Sequence, residues 1–125
     1  MGVAVSKYLV TGACGGMGTA LCRALTGKGH EVWGIDRRMP ETPNAWTNIA
    51  ADVTDTRQLE AALAQVEREA GSLDGIINMA GIYDLGSLVE MSEDDFVRDF
   101  NVNLFGMFRV NKLFLPLLAP GSSES

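Results

Sequence analysis

The stretch Thr11-Gly12-Ala13-Cys14-Gly15-Gly16-Met17-Gly18 decides the fold. It follows Lys7-Tyr8-Leu9-Val10-Thr11, an apolar run that reads as a strand. It opens a segment with Leu21, Ala24 and Leu25 on one side, which reads as a helix from about 16 to 25, stopped by Gly27 and Gly29. A strand that passes into a helix through clustered glycines needs a turn tolerant of positive φ, and it leaves bare backbone exposed. The helix start presents unpaired N–H groups and the positive end of its dipole, which suits phosphate. The same letters also fit a turn that only packs a helix close to a strand. Glu31 to Ile35 forms a second strand that ends in the acid Asp36, and this context favours a dinucleotide site. The turn residues Gly12, Cys14, Gly16, Met17 and Gly18 are therefore candidate cofactor contacts.

Asp36 can accept hydrogen bonds from both ribose hydroxyls of an adenosine half, and its charge repels a 2′-phosphate. NAD is favoured over NADP on this ground. Arg37 and Arg38 follow directly; they would serve a 2′-phosphate or stand as a solvated loop. Arg37 is kept as a candidate contact.

Outward from the turn, β-type runs alternate with helical patterns, as in a parallel sheet with crossover helices. The stretch 37–46, with Pro40 and Pro43, reads as a loop, and Thr47 to Ala51 as a short third strand. Asp55 caps a helix in which Leu59, Leu63, Val66 and Ala70 recur at helical spacing, and Gly71 closes it. Leu73 to Asn78 is a fourth strand, followed by a loop over 80–91. Ser92 with Asp95 three positions on starts a long helix that runs to about Leu118. The predicted fold is α/β: a Rossmann-type doubly wound parallel sheet in the order 3-2-1-4. It is truncated after the fourth strand and its long helix. Residues 1–118 form one incomplete domain and 119–125 a polar tail.

The order of these signals resembles the short-chain dehydrogenase/reductase family along almost the whole chain. Gly12, Gly16 and Gly18 match that family's Thr-Gly-x-x-x-Gly-x-Gly turn. Asp52-Val53 is similar to the Asp-Val pair that the family places beside the adenine ring. Asn78-Met79-Ala80-Gly81 resembles its Asn-Asn-Ala-Gly motif, with Met79 the departure. Asn101-Val102-Asn103 resembles its Asn-Val-Asn segment. Gly12, Gly15 and Gly18 also fit the spacing of larger epimerase-like relatives; Asn-x-Ala-Gly with Asn-Val-Asn decides for the smaller dehydrogenases. The resemblance implies that Asp52, Val53, Asn78, Ala80 and Gly81 contact the cofactor and that Asn103 belongs to the catalytic set.

On the long helix Phe96, Phe100, Asn103, Met107, Val110, Phe114 and Leu117 step by three or four, with Asn103 the polar member. This stripe is predicted to cover the sheet. A second stripe, Val97, Leu104, Phe108, Leu115 and Leu118, needs a different partner. In the family, this helix packs against its copy, so a homo-oligomer through residues 93–118 is expected. With strand five missing, strand four is expected to be an unpaired apolar edge.

The family's catalytic serine and Tyr-x-x-x-Lys pair are not found in the 125 residues. The lysines are 7, 28 and 112, and four positions before them stand Val3, Ala24 and Phe108. Ser122-Ser123 lies just before the place expected for strand five. Three readings therefore compete: the NAD-binding part of an oxidoreductase acting on an alcohol or ketone, a non-enzymatic dinucleotide-binding module, and a truncated product without activity. A formal net charge of -6 argues against nucleic acid and anionic membrane as partners. No apolar run reaches the length of a membrane span. Cys14 and Cys22 fall in no metal spacing, so no metal is expected, and a reducing cytoplasmic setting is the simple expectation.

Overall fold

The computed structural model describes residues 4–79 and 90–124. Among them a sheet of five strands runs in the order β3-β2-β1-β4-β5, all pairings parallel. The strands are β1 (Lys7–Thr11), β2 (Glu31–Asp36), β3 (Thr47–Ala50), β4 (Leu73–Asn78) and β5 (Leu118–Glu124). The helices are α1 (Gly16–Gly27), α2 (Thr56–Ala70), α3 (Glu93–Phe100) and α4 (Gly106–Phe114).

Alternation along the strands builds two cores. Leu9, Trp33, Ile35, Ile49 and Ile76 face α2 and α4, which contribute Leu59, Ala62, Val66, Val110 and Phe114. Val10 and Val32 face α1, which contributes Cys22 with Leu21 and Leu25. β1 lies between β2 and β4, and helices cover both of its faces, Leu9 packing in one core and Val10 in the other, which explains its continuous apolar run. The caps follow the sequence. The Asp55 carboxylate accepts from the N–H groups of Arg57 and Gln58, and Ser92 and Asp95 form a reciprocal capping box. Gly71 adopts φ 76° at the end of α2. Gly27 does not stop α1 but is its last residue, and the turn falls at Gly29, φ 88°.

Two expectations are corrected. First, the presumed polar tail is β5, so the order 3-2-1-4 extends to a fifth strand and β4 is not an open edge. Leu118 pairs with Leu73, and Ser123 and Glu124 pair with Gly75 and Ile76. Two steps along β4 thus span five along β5, and the irregularity holds Pro120. Pro120 and Gly121 hid the strand from sequence patterns, but a proline is tolerated in a strand irregularity, where its missing N–H is not needed. Ser122-Ser123 lies within β5, not before it.

Second, the long helix is not continuous. Residues Asn101–Phe105 form a π turn, in which the Gly106 N–H reaches the Asn101 carbonyl. A π turn holds an extra residue, so side chains before and after it lose their common phase. Val110 and Phe114 are fully buried, whereas Phe96, Phe100 and Met107 from the same predicted stripe are exposed. A 3₁₀ turn, Leu115–Leu117, leads into β5. Val97, Leu104, Phe108 and Leu115 of the second stripe are exposed, while Leu118 packs against the core from β5. Among the described residues no helix is long and apolar enough to cross a membrane.

Candidate functional site

The carboxyl ends of β1, β2 and β3 open onto a cleft of about 380 Å³. Its lining includes Gly12, Gly15, Asp36, Arg37, Arg38, Asp52 and Val53 from the strand ends, and Arg98, Asn101 and Val102 from the opposite helix. In an open α/β sheet this crevice is where ligands bind.

The glycine turn is clipped to the end of β2. The N–H groups of Gly12 and Ala13 both donate to the Ile35 carbonyl, at 2.8 and 3.2 Å. The Cys14 N–H donates to Asp36 Oδ2 at 3.0 Å, and the Arg38 N–H donates to Asp36 Oδ1 at 3.1 Å. Two backbone donors therefore orient the carboxylate, which keeps lone pairs for further donors. Gly12 has φ 72°, a region that side chains disfavour. A Cβ on Gly18 would collide with the Gly12 carbonyl oxygen, so α1 starts this close to the turn only with glycine there. A Cβ on Gly16 would meet nothing within 4 Å, so the backbone there faces open space. No side chain caps the first amides of α1. The bare turn, the helix start and the oriented acid fit a dinucleotide.

Neither thiol is poised as a nucleophile. Burial and the Asp36 charge raise the Cys14 thiol against the pull of Arg38, and Cys14 Sγ donates to the Arg38 carbonyl at 3.1 Å. Burial chiefly, with Cys14 nearby, pushes Cys22 up to about 11.

The far wall rests on the loop after β3. Asp52 Oδ1 accepts from the Thr54 N–H at 2.9 Å and its hydroxyl at 2.7 Å. Burial alone would raise the Asp52 carboxyl. The two Thr54 donors, with Arg37 and Arg109, outweigh it and hold the group below its ordinary 3.8. Val53 is buried against α4: a Cβ on Gly106 would stand 2.6 Å from Val53 Cγ2. Arg109 Nη1 donates to Asn101 Oδ1 at 3.0 Å and reaches the Val53 carbonyl at 3.4 Å.

The structure thus brings Gly12, Asp36, Arg37, Asp52 and Val53 to one cleft. Cys14, Gly16, Met17 and Gly18 continue the turn beside it, with Met17 exposed. Asn78 ends β4, and its neighbour Met79 lines the cleft. Asn103 is half-buried in the π turn; Asn101 and Val102 line the cleft instead. Ala80 and Gly81 lie outside the described residues. Sequence reasoning missed Thr54, Arg98 and Arg109. The spacing Asp52-Val53-Thr54 is a turn signal for the first, but nothing local marks the two arginines. Among the described residues no group of three or more His, Cys, Asp or Glu side chains could hold a metal.

Residues 6–124 match the short chain dehydrogenase family, and the chain belongs to it. It is 32% identical over 110 residues to a 3-ketodihydrosphingosine reductase of Bacteroides thetaiotaomicron, covering 88% of this chain and 41% of that protein. It is 33% identical to the 3-oxoacyl-acyl-carrier-protein reductase MabA of Mycobacterium avium, with 85% of this chain and 41% of that one covered. Among solved structures, the ligand-free aldohexose dehydrogenase of Thermoplasma acidophilum superposes with a TM-score of 0.85 at 29% identity, covering 96% of this chain and 48% of the other. The chain spans about two fifths of the length of these curated relatives. The family is one of oxidoreductases, and both curated relatives are reductases.

The Asp52 arrangement has a pH signature. A carboxylate whose pKa is lowered on folding adds stability above its unfolded value and loses it as pH falls through the folded one. Asp52→Asn is expected to be less stable than the parent at pH 7. The gap in urea midpoint should shrink as pH falls through 3.8 and below. A gap independent of pH would show that the Asp52 charge does not matter.

Proposed function

We propose that this chain is the NAD-binding portion of an oxidoreductase that acts on an alcohol or ketone. The observation that carries the reading is the Asp36 carboxylate, oriented by two backbone N–H groups beside a bare glycine turn. Gly12, Cys14, Gly16, Met17 and Gly18 would cradle the pyrophosphate. Asp36 and Arg37 would hold the adenosine ribose, and Asp52 and Val53 would border the adenine. Asn78, Ala80 and Gly81 would flank the second nucleotide, with Asn103 in the catalytic set. When bound, the nicotinamide supplies hydride acceptor or donor chemistry. The names of the reductase relatives support a carbonyl or alcohol as substrate class.

Within these 125 residues no Tyr-x-x-x-Lys pair exists to move the substrate proton. We therefore read this portion as binding cofactor without turning over. The exposed apolar side chains Val97, Leu104, Phe108 and Leu115 support a second copy of the chain as partner. Strand-edge aggregation through β4 loses its basis, because β5 covers that edge.

Three measurements test the reading. Calorimetric titration should give tighter binding for NADH than NADPH. Asp36→Ala should weaken NADH about tenfold or more while narrowing the preference, since a hydrogen bond to a charged group is worth about 1.5–3 kcal/mol. A wild-type preference for NADPH would overturn the cofactor assignment. Turnover of about 1 s⁻¹ or more with secondary alcohols or ketones would refute inactivity of this portion. In sedimentation equilibrium, a concentration-dependent mass above 13.4 kDa is expected, abolished by Phe108→Gln with Leu115→Gln. A constant mass of 13.4 kDa at every concentration would exclude the dimer.

A further inference from the structure

Asn111 lies on α4 and takes no part in the cofactor reading above. Its Oδ1 accepts a hydrogen bond from Asn78 Nδ2 at 3.0 Å, across 33 positions of sequence. Its place is set independently, because Val110 and Phe114 of the same helix are fully buried against α2 and the sheet. Asn78 is the last residue of β4 and pairs with Thr11, the last residue of β1. Beyond it the Met79 N–H donates to the Thr11 carbonyl at 3.1 Å. The end of β4 is thus held from two sides, by β1 through backbone and by α4 through the amide pair.

The strand order gives this end a direction. With the adenosine half beyond β2 and the pyrophosphate at the β1 turn, a dinucleotide must carry its second nucleotide over the end of β4. An asparagine side chain has freedom about χ2, and its terminal oxygen and nitrogen are interchangeable in shape. An acceptor at Nδ2 removes that freedom and fixes which way the amide points.

We propose that Asn111 is a positioning residue: by accepting from Asn78 Nδ2 it fixes the Asn78 amide and the end of β4 for the nicotinamide half of the cofactor. Asn111 itself touches no cofactor, and the inference rests on the dinucleotide reading above. The adenosine half depends on Gly12, Asp36 and Asp52, none of which Asn111 contacts through this bond. Its effect is therefore confined to one end of the ligand.

The test compares NADH with ADP-ribose, which lacks the nicotinamide, in calorimetric titrations of the full chain. Asn111→Leu, close in size but without an acceptor, is expected to weaken NADH about tenfold and to leave ADP-ribose within about twofold. Asn111→Asp keeps an acceptor oxygen in the same place and should restore NADH binding to within about threefold of the parent. Asn111→Ala serves the same comparison if the leucine disrupts packing. Adding Asn111→Leu to Asn78→Ala should cause no further selective loss, because the two residues act through one bond. Equal weakening of both ligands, or an unchanged NADH constant, overturns the assignment while the cofactor reading stands. If the parent chain binds neither ligand, the cofactor reading fails and this one with it.

Discussion

The rest of the site depends on the clip between the glycine turn and the end of β2. One carbonyl, that of Ile35, takes the N–H groups of both Gly12 and Ala13, and the Asp36 carboxylate takes the next one, from Cys14. Three consecutive backbone donors are thereby satisfied by two consecutive residues of the neighbouring strand. Buried backbone donors without partners are costly, so the turn has little freedom to move away from β2. The clip places Gly12 in its positive-φ conformation, and Gly18 must then be bare for α1 to begin where it does. The acid and the helix start face one cleft because the same few bonds place them both.

The opposite wall is made by a different device. The loop after β3 packs on the helical segment after residue 92 with Val53 against Gly106. Arg109 bridges Val53 and Asn101 beside it. Between Asn101 and Gly106 the helix takes its π turn, and this re-aims the two halves. α4 turns Val110 and Phe114 into the core, while α3 leaves Phe96 and Phe100 outside. π turns are uncommon and recur at functional sites, and this one contributes Asn101 and Val102 to the cleft. Val97, Leu104, Phe108 and Leu115 stay exposed around it.

β5 joins the sheet with little apolar material of its own. Pro120, Gly121, Ser122 and Ser123 carry no strand preference. What they have is a neighbour: β4 presents a row of backbone donors and acceptors, with Ile76 and Leu73 fully buried. Satisfying that row outweighs the weak propensity of the incoming segment, and the mismatch is absorbed in the irregularity between Leu118 and Ser123.

The parts of this protein legible in its sequence are those whose causes lie within a few residues. The glycine turn between strand and helix, the acid ending β2, the caps at Asp55 and Ser92 and the amphipathic stripe of α2 rest on contacts of short range. Strand assignment for β1 to β4 and the Rossmann-type class followed from them. The pattern could not show β5, because its residues pair only once β4 stands beside them. It could not show the π turn either, since a stripe at steps of three and four reads as one unbroken helix. Arg109 on Val53 and Asn78 on Asn111 span 56 and 33 positions, and no periodicity encodes such a pair. The tertiary structure decided β5 and these pairs because each hydrogen bond requires a partner that packing delivers from elsewhere in the chain.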